Sequence, residues 1–160
     1  MKIILAGGTI LRDYDVDTGA MEHSCGVLDQ CLDDMMLKSE PEIVHWFEMK
    51  DSLKMTSSDR ESLYKLCEKH EDRLLVIHGT DTMSETHEYF NSMPKIGTVV
   101  FTGAFFPLCM KGSEGEFNLG FGMACTKTLP AGNYIAMNGE IFTKNIRKDF
   151  EHLTFEGRTL

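Results

Sequence analysis

Three short stretches of this chain set a hydroxyl or carboxylate side chain at a turn. Gly7-Gly8-Thr9 follows the apolar run 2–6, and Gly79-Thr80-Asp81 follows the apolar run 74–78. Asp51-Ser52 stands shortly after a third apolar segment. Glycine supplies the backbone conformations that sharp turns require, so Gly8 and Gly79 mark where a strand stops and polar groups are presented. Thr9, Thr80 and Ser52 offer hydroxyls and Asp81 a carboxylate. A threonine hydroxyl becomes a nucleophile when a base takes its proton or a charged network makes the proton easier to lose. The same residue types also make good turns and helix caps, and for any one of these sites periodicity alone favours that plainer role.

The elements that must carry these turns are readable from apolar spacing. Residues 2–6, 42–49, 74–78, 98–102 and 134–137 read as strands, the second of them through Ile43, Val44, Trp46 and Phe47. Residues 27–37, 82–93 and 114–126 read as helices. A further helix opens at Thr56, whose hydroxyl and the acid at Asp59 form a capping box, and ends near His70. Residues 10–26 suggest a loop or loose hairpin, and the charged tail 144–160 has no clear period. Strands alternate with helices at βαβ spacing, without repeat or linker. That predicts a three-layer αβα domain on a mainly parallel sheet, flavodoxin-like or Rossmann-like. Every strand but the second ends directly in a small or polar turn, so in a parallel sheet Thr9, Ser52, Thr80 and Asp81 share one edge, where ligands of such sheets bind.

Composition narrows the function classes. The chain has 160 residues, 42% hydrophobic and 26% charged, which is the profile of a globular domain. A formal charge of −9 argues against a nucleic-acid partner or an anionic membrane surface. The apolar amino terminus meets Gly7-Gly8 too soon to be a signal-peptide core, and no apolar run is long enough to span a bilayer. The five cysteines are dispersed, with no Cys-x-x-Cys pair, which suits reduced thiols in a cytoplasmic protein. His78 and His87 do not form a His-Glu-x-x-His helix, so no metal is expected. Neither a Gly-x-Gly-x-x-Gly nor a Gly-Lys-Ser/Thr phosphate loop is present, and no cofactor is expected.

Gly7-Gly8-Thr9-Ile10 and His78-Gly79-Thr80-Asp81-Thr82-Met83, with Glu85-Thr86 after it, resemble the two threonine signatures of bacterial-type L-asparaginases. Asp51-Ser52 with Met55-Thr56 is similar to the family's serine-bearing substrate loop. The stretch from Val99 through Thr102-Gly103-Ala104, and Phe117-Asn118-Leu119, resemble its next strand and helix, and Asn145-Ile146-Arg147-Lys148 its lysine segment. The resemblance runs in order over nearly the whole chain. It implies an amidohydrolase that releases ammonia from asparagine or a related carboxamide through a threonine acyl-enzyme. Thr9 is then the nucleophile, and Thr80, Asp81 and Lys148 form a second group in which the lysine supports proton removal. Asp81 would hold the α-amino group and Ser52 the α-carboxylate, while the turns at Gly8 and Gly79 line the substrate and lend amides to the oxyanion. Tyr14, the tyrosine nearest to Thr9, corresponds to a loop tyrosine that orients the nucleophile.

Two departures accompany the match. The resemblance covers one domain over residues 1–160, corresponding to the amino-terminal domain of two-domain relatives, so their carboxyl-terminal acidic contact is not supplied from it. Lys54 stands two positions after Ser52, where the family carries an acid, which reverses the charge expected there. A small-molecule amide substrate and a homodimer or larger homo-oligomer are implied. A domain that binds aspartate or asparagine without turnover is the alternative.

Overall fold

Apolar residues at strand spacing and at helix spacing separate cleanly along the chain, and the elements follow from them. The computed structural model describes residues 1–46, 49–70 and 72–160. In chain order the elements are β1 (Lys2–Leu5), β2 (Arg12–Tyr14), β3 (Met21–His23), α1 (Gly26–Asp34), β4 (Glu42–His45), α2 (Ser57–Lys69), β5 (Asp72–Ile77), α3 (Met83–Ser92), β6 (Gly97–Thr102), α4 (Gly115–Thr128), β7 (Gly132–Met137), β8 (Glu140–Asp149) and β9 (Thr154–Thr159). The expected second strand ends earlier than its apolar pattern, at His45, and Phe47 lies outside the described residues. The loop 10–26 is a short antiparallel hairpin, β2 with β3.

Among the described residues the main sheet has seven strands, in the order β4-β1-β5-β6-β7-β8-β9. The first five run parallel, with Ile3 opposite both Ile43 and Leu75. Numbered by sequence, those five stand in the order 2-1-3-4-5, which is the flavodoxin-like winding. Successive strand residues face opposite sides, and the core divides accordingly. Ile4, Leu74, Val76 and Phe101 pack with Leu63 and Tyr64 of α2 and Phe90 of α3. Ile3, Leu5, Leu75, Ile77 and Val100 pack with Leu28 of α1 and with Leu119 and Met123 of α4. The three-layer αβα fold is therefore as the sequence predicts. Among the described residues, no helix is long and apolar enough to cross a membrane.

Two local features fix where charged side chains stand. Helix α2 opens with the expected capping box: the Thr56 hydroxyl accepts the Asp59 N–H, and the Asp59 carboxylate accepts the Thr56 N–H at 2.7 Å. That bond, first among several, lowers the Asp59 pKa to about 2. The charged tail is not irregular; β8 and β9 pair as an antiparallel hairpin on the edge of the sheet. The register slips between Phe142 and Lys144 and again between Lys144 and Arg147, and Asn145 lies at φ 53°. Such bulges bend a strand. A straight β8, starting with Glu140 opposite Met137, would carry Lys148 away from the edge where β5 ends; the bent one returns it there.

Candidate active site

In a 2-1-3-4-5 sheet the chain winds away in opposite directions from β1 and β5, and ligands bind in the crevice this leaves beyond their carboxyl ends. The turns at Gly7–Thr9 and Gly79–Asp81 are the ends of those two neighbouring strands. They abut directly. A Cβ on Gly8, which sits at φ +99°, would lie 2.5 Å from the Gly79 nitrogen, and a Cβ on Gly79 would lie 2.6 Å from the Ser52 Oγ. Only glycine allows the first two backbones so close and leaves room for the Ser52 side chain against the second, which is why three turns distant in sequence share one cleft. Gly8, Thr9, Arg12, Asp51, Ser52, Gly79 and Asp81 line it, and its volume is about 10 Å³, roughly the room of one water.

Ser52 is gripped by the start of α3. Its Oγ accepts the Thr82 N–H at 3.4 Å, and the Thr82 hydroxyl donates to the Ser52 carbonyl at 2.8 Å. Thr9 is half-buried and Thr80 is 3% exposed; neither hydroxyl has a hydrogen-bond partner among the described residues. Lys148 does reach this edge, but its Nζ donates to Asp81 Oδ1 at 2.5 Å and not to Thr80. The ammonium also lies 5.1 Å from the Phe105 ring centre and 4.7 Å from that of Phe150, a cation–π seat. Of Thr80, Asp81 and Lys148, the last two form an ion pair, and Thr80 is the residue next to Asp81 in the chain.

Several expectations need correction. Tyr14 is 58% exposed and does not line the cleft; its hydroxyl lies 3.9 Å from where a Cβ on Gly19 would stand, in its own hairpin. The reason is strand geometry: Arg12 and Tyr14 share a face of β2, and two residues carry the chain about 7 Å. Arg12 therefore fills the position beside the cleft, donating to the Met21 carbonyl at 2.9 Å and pairing with Asp51 at 3.4 Å. The Gly8 amide is not free for an oxyanion, since it donates to His23 Nε2 at 3.2 Å. Burial, then the charge of Arg12, lowers the His23 pKa, which keeps that nitrogen an acceptor. Lys54 is exposed and is not among the residues lining the cleft. No sequence signal marks Arg12, His23 or the two phenylalanines around Lys148; the alternation through Arg12 and Tyr14 is the one clue.

Behind the cleft lies a fully buried histidine. His78 Nδ1 bonds the Gly79 carbonyl at 2.8 Å and its Nε2 bonds the Thr86 hydroxyl at 2.9 Å. Burial lowers its pKa from 6.5 to about 4. The unfolded chain takes up this proton below about pH 6.5, while the folded chain keeps the ring neutral down to about pH 4. Stability is thus complete above pH 6.5 and is lost as the pH falls toward 4, with about 2 kcal/mol of the loss between pH 7 and pH 5. His87, lowered in the same direction by burial, adds to it. Urea unfolding at the two pH values should show the difference shrink by about that amount in His78→Asn; an unchanged difference would remove His78 as its source.

The comparisons agree with this fold. A family model described as the asparaginase N-terminal domain matches residues 1–150. Comparison with curated proteins gives no match. Among solved structures, L-asparaginase I from Vibrio cholerae superposes with TM-score 0.82 at 23% identity, covering 99% of this chain and 51% of that one. The thermostable L-asparaginase from Thermococcus kodakarensis gives 0.81 at 21%, covering 98% and 51%. A probable cytoplasmic L-asparaginase from Campylobacter jejuni gives 0.79 at 23%, covering 98% and 52%. The chain spans about half the length of these structures, and at such identities they show the shared fold. The match of the family model over residues 1–150 makes the chain a member of the asparaginase family, corresponding to its N-terminal domain.

Proposed function

We propose that this chain is an asparaginase-type amidohydrolase acting on asparagine or a related carboxamide. One observation carries the reading: Thr9, Ser52, Gly79 and Asp81 line a single cleft at the point between β1 and β5 where the winding reverses. Thr9 Oγ1 bonds to the side-chain amide carbon, the hydroxyl proton passes to the departing nitrogen, and the C–N bond breaks to release ammonia. Water then adds to the ester carbon, freeing the acid and restoring the hydroxyl. Ser52 accepts its bond from Thr82, which leaves its own proton for the substrate α-carboxylate. Asp81 keeps Oδ2 for the α-amino group while Oδ1 holds Lys148. That ammonium eases proton loss from a hydroxyl or water beside Thr80. Leu53, which follows Ser52, and Phe150, beside Lys148, are exposed apolar side chains that give a second copy of the chain something to cover, and a homo-oligomer is part of the proposal.

A second reading is favoured by one observation, that the Lys148 ammonium is bonded to Asp81 and neither threonine hydroxyl is bonded to a base among the described residues. It is a domain that binds aspartate or asparagine without turnover. Purified protein should release ammonia from at least one of asparagine, glutamine or a short asparaginyl peptide. Thermal stabilisation by aspartate with no ammonia from any of them would select the binding domain instead.

A further inference from the structure

We propose that Thr86, His78 and Arg60 form a positioning relay that aims the Thr80 backbone N–H into the site as an oxyanion donor. This rests on the amidohydrolase reading of the cleft. The hydrogen-bond directions are determined link by link. Arg60 Nε has only a proton to give, and it gives it to Thr86 Oγ1 at 3.1 Å. At the other end the Gly79 carbonyl can only accept, so the neutral His78 ring places its proton on Nδ1, 2.8 Å away, and its Nε2 accepts the Thr86 hydroxyl proton at 2.9 Å. Each partner is buried, so water does not compete for these bonds.

The consequence lies across one peptide bond. The chain has no cis peptides among its described residues, and in a trans peptide the carbonyl and the following N–H point in opposite directions. Holding the Gly79 carbonyl on the buried ring therefore holds the Thr80 N–H pointing away from the core, on the side where Gly79 and Asp81 line the cleft. That N–H has no partner among the described residues. It takes the place left by the Gly8 amide, which is occupied by His23. The same guanidinium donates from Nη1 to the Met55 carbonyl at 3.2 Å and from Nη2 to Glu85 at 2.8 Å. Met55 closes the short helical turn that starts at Ser52, so Arg60 braces the serine turn and the Thr80 turn together.

The test uses the full chain and pairs Thr86→Val, which keeps the shape but removes the hydroxyl, with Thr86→Ser, which keeps the hydroxyl. A donor aimed at the transition state acts on kcat, so Thr86→Val should lower kcat about ten-fold with KM within about two-fold, less than the loss of a whole oxyanion donor. Thr86→Ser should restore the wild-type rate. Independently of any variant, ¹⁵N spectra of the wild-type His78 ring should place the proton on Nδ1. A ring protonated on Nε2, equal losses in Thr86→Val and Thr86→Ser, or a rise in KM alone would each overturn the relay. A wild type that releases no ammonia defeats the amidohydrolase reading and the relay's catalytic role with it, whereas an active wild type and an equally active Thr86→Val defeat the relay alone.

Discussion

Thr9→Ala is expected to reduce ammonia release by at least about a thousand-fold while leaving the fold intact. The two halves of this result come from different observations. Thr9 lines the cleft beside Ser52 and Asp81, and removing a nucleophile removes the covalent route altogether. Its hydroxyl, however, makes no hydrogen bond among the described residues, so its loss breaks nothing the folded state depends on, and stability should change by less than about 0.5 kcal/mol. Steady-state ammonia release and urea unfolding on the same preparations separate the two. A Thr9→Ala protein that keeps more than a tenth of the wild-type rate would take the nucleophile's role away from this residue.

Gly8→Ala is expected to do the opposite and damage the fold itself. Gly8 sits at φ 99° and ψ 171°, a region that side chains other than glycine's reach only with strain of about 1–3 kcal/mol. The added Cβ would also meet the Gly79 nitrogen at 2.5 Å and its Cα at 2.6 Å. Both are backbone atoms of the neighbouring turn, and neither swings aside as a flexible side chain would. Separating the turns adds an overpacking cost of about 1–3 kcal/mol, for a total of about 4 kcal/mol, or roughly 12 °C in Tm for a chain of this size. Activity should fall with it, because the cleft is formed by that contact. Gly120 is the control: it lies inside α4 with nothing within 4 Å of an added Cβ, so Gly120→Ala should stabilise by about 1 kcal/mol. Equal unfolding midpoints for the two variants would show that the abutting turns impose no constraint.

These positions show what can be read in the sequence and what cannot. Strand ends followed by glycine and a hydroxyl are local signals, so Thr9, Thr80 and Asp81 are readable as a common edge once the alternation of strands and helices implies a parallel sheet. The capping box at Thr56 and Asp59 is equally local. By contrast, Lys148 meets Asp81 across 67 residues, and only the bend in β8 makes the meeting possible. That bend also hides the strand. Between its buried residues Phe142 and Ile146 the same-parity position, Lys144, is exposed where the register slips, so no alternation of period two survives to be seen. Tyr14 misleads for a similar reason. With 10–26 read as a loop or loose hairpin whose strands are not assigned, its two-residue offset from Arg12 has no meaning, although in a strand that offset decides which side chain stands at the cleft. The occupied Gly8 amide likewise depends on His23, which a hairpin folds back onto the turn.

The most direct test of a threonine acyl-enzyme at this cleft is mass spectrometry of the protein quenched in acid during turnover of asparagine. The expected result is a covalent adduct equal in mass to asparagine less ammonia, located on the peptide that carries Thr9 and absent from Thr9→Ala. Turnover that proceeds with no adduct, or with the adduct on Thr80 or any other residue, would contradict it.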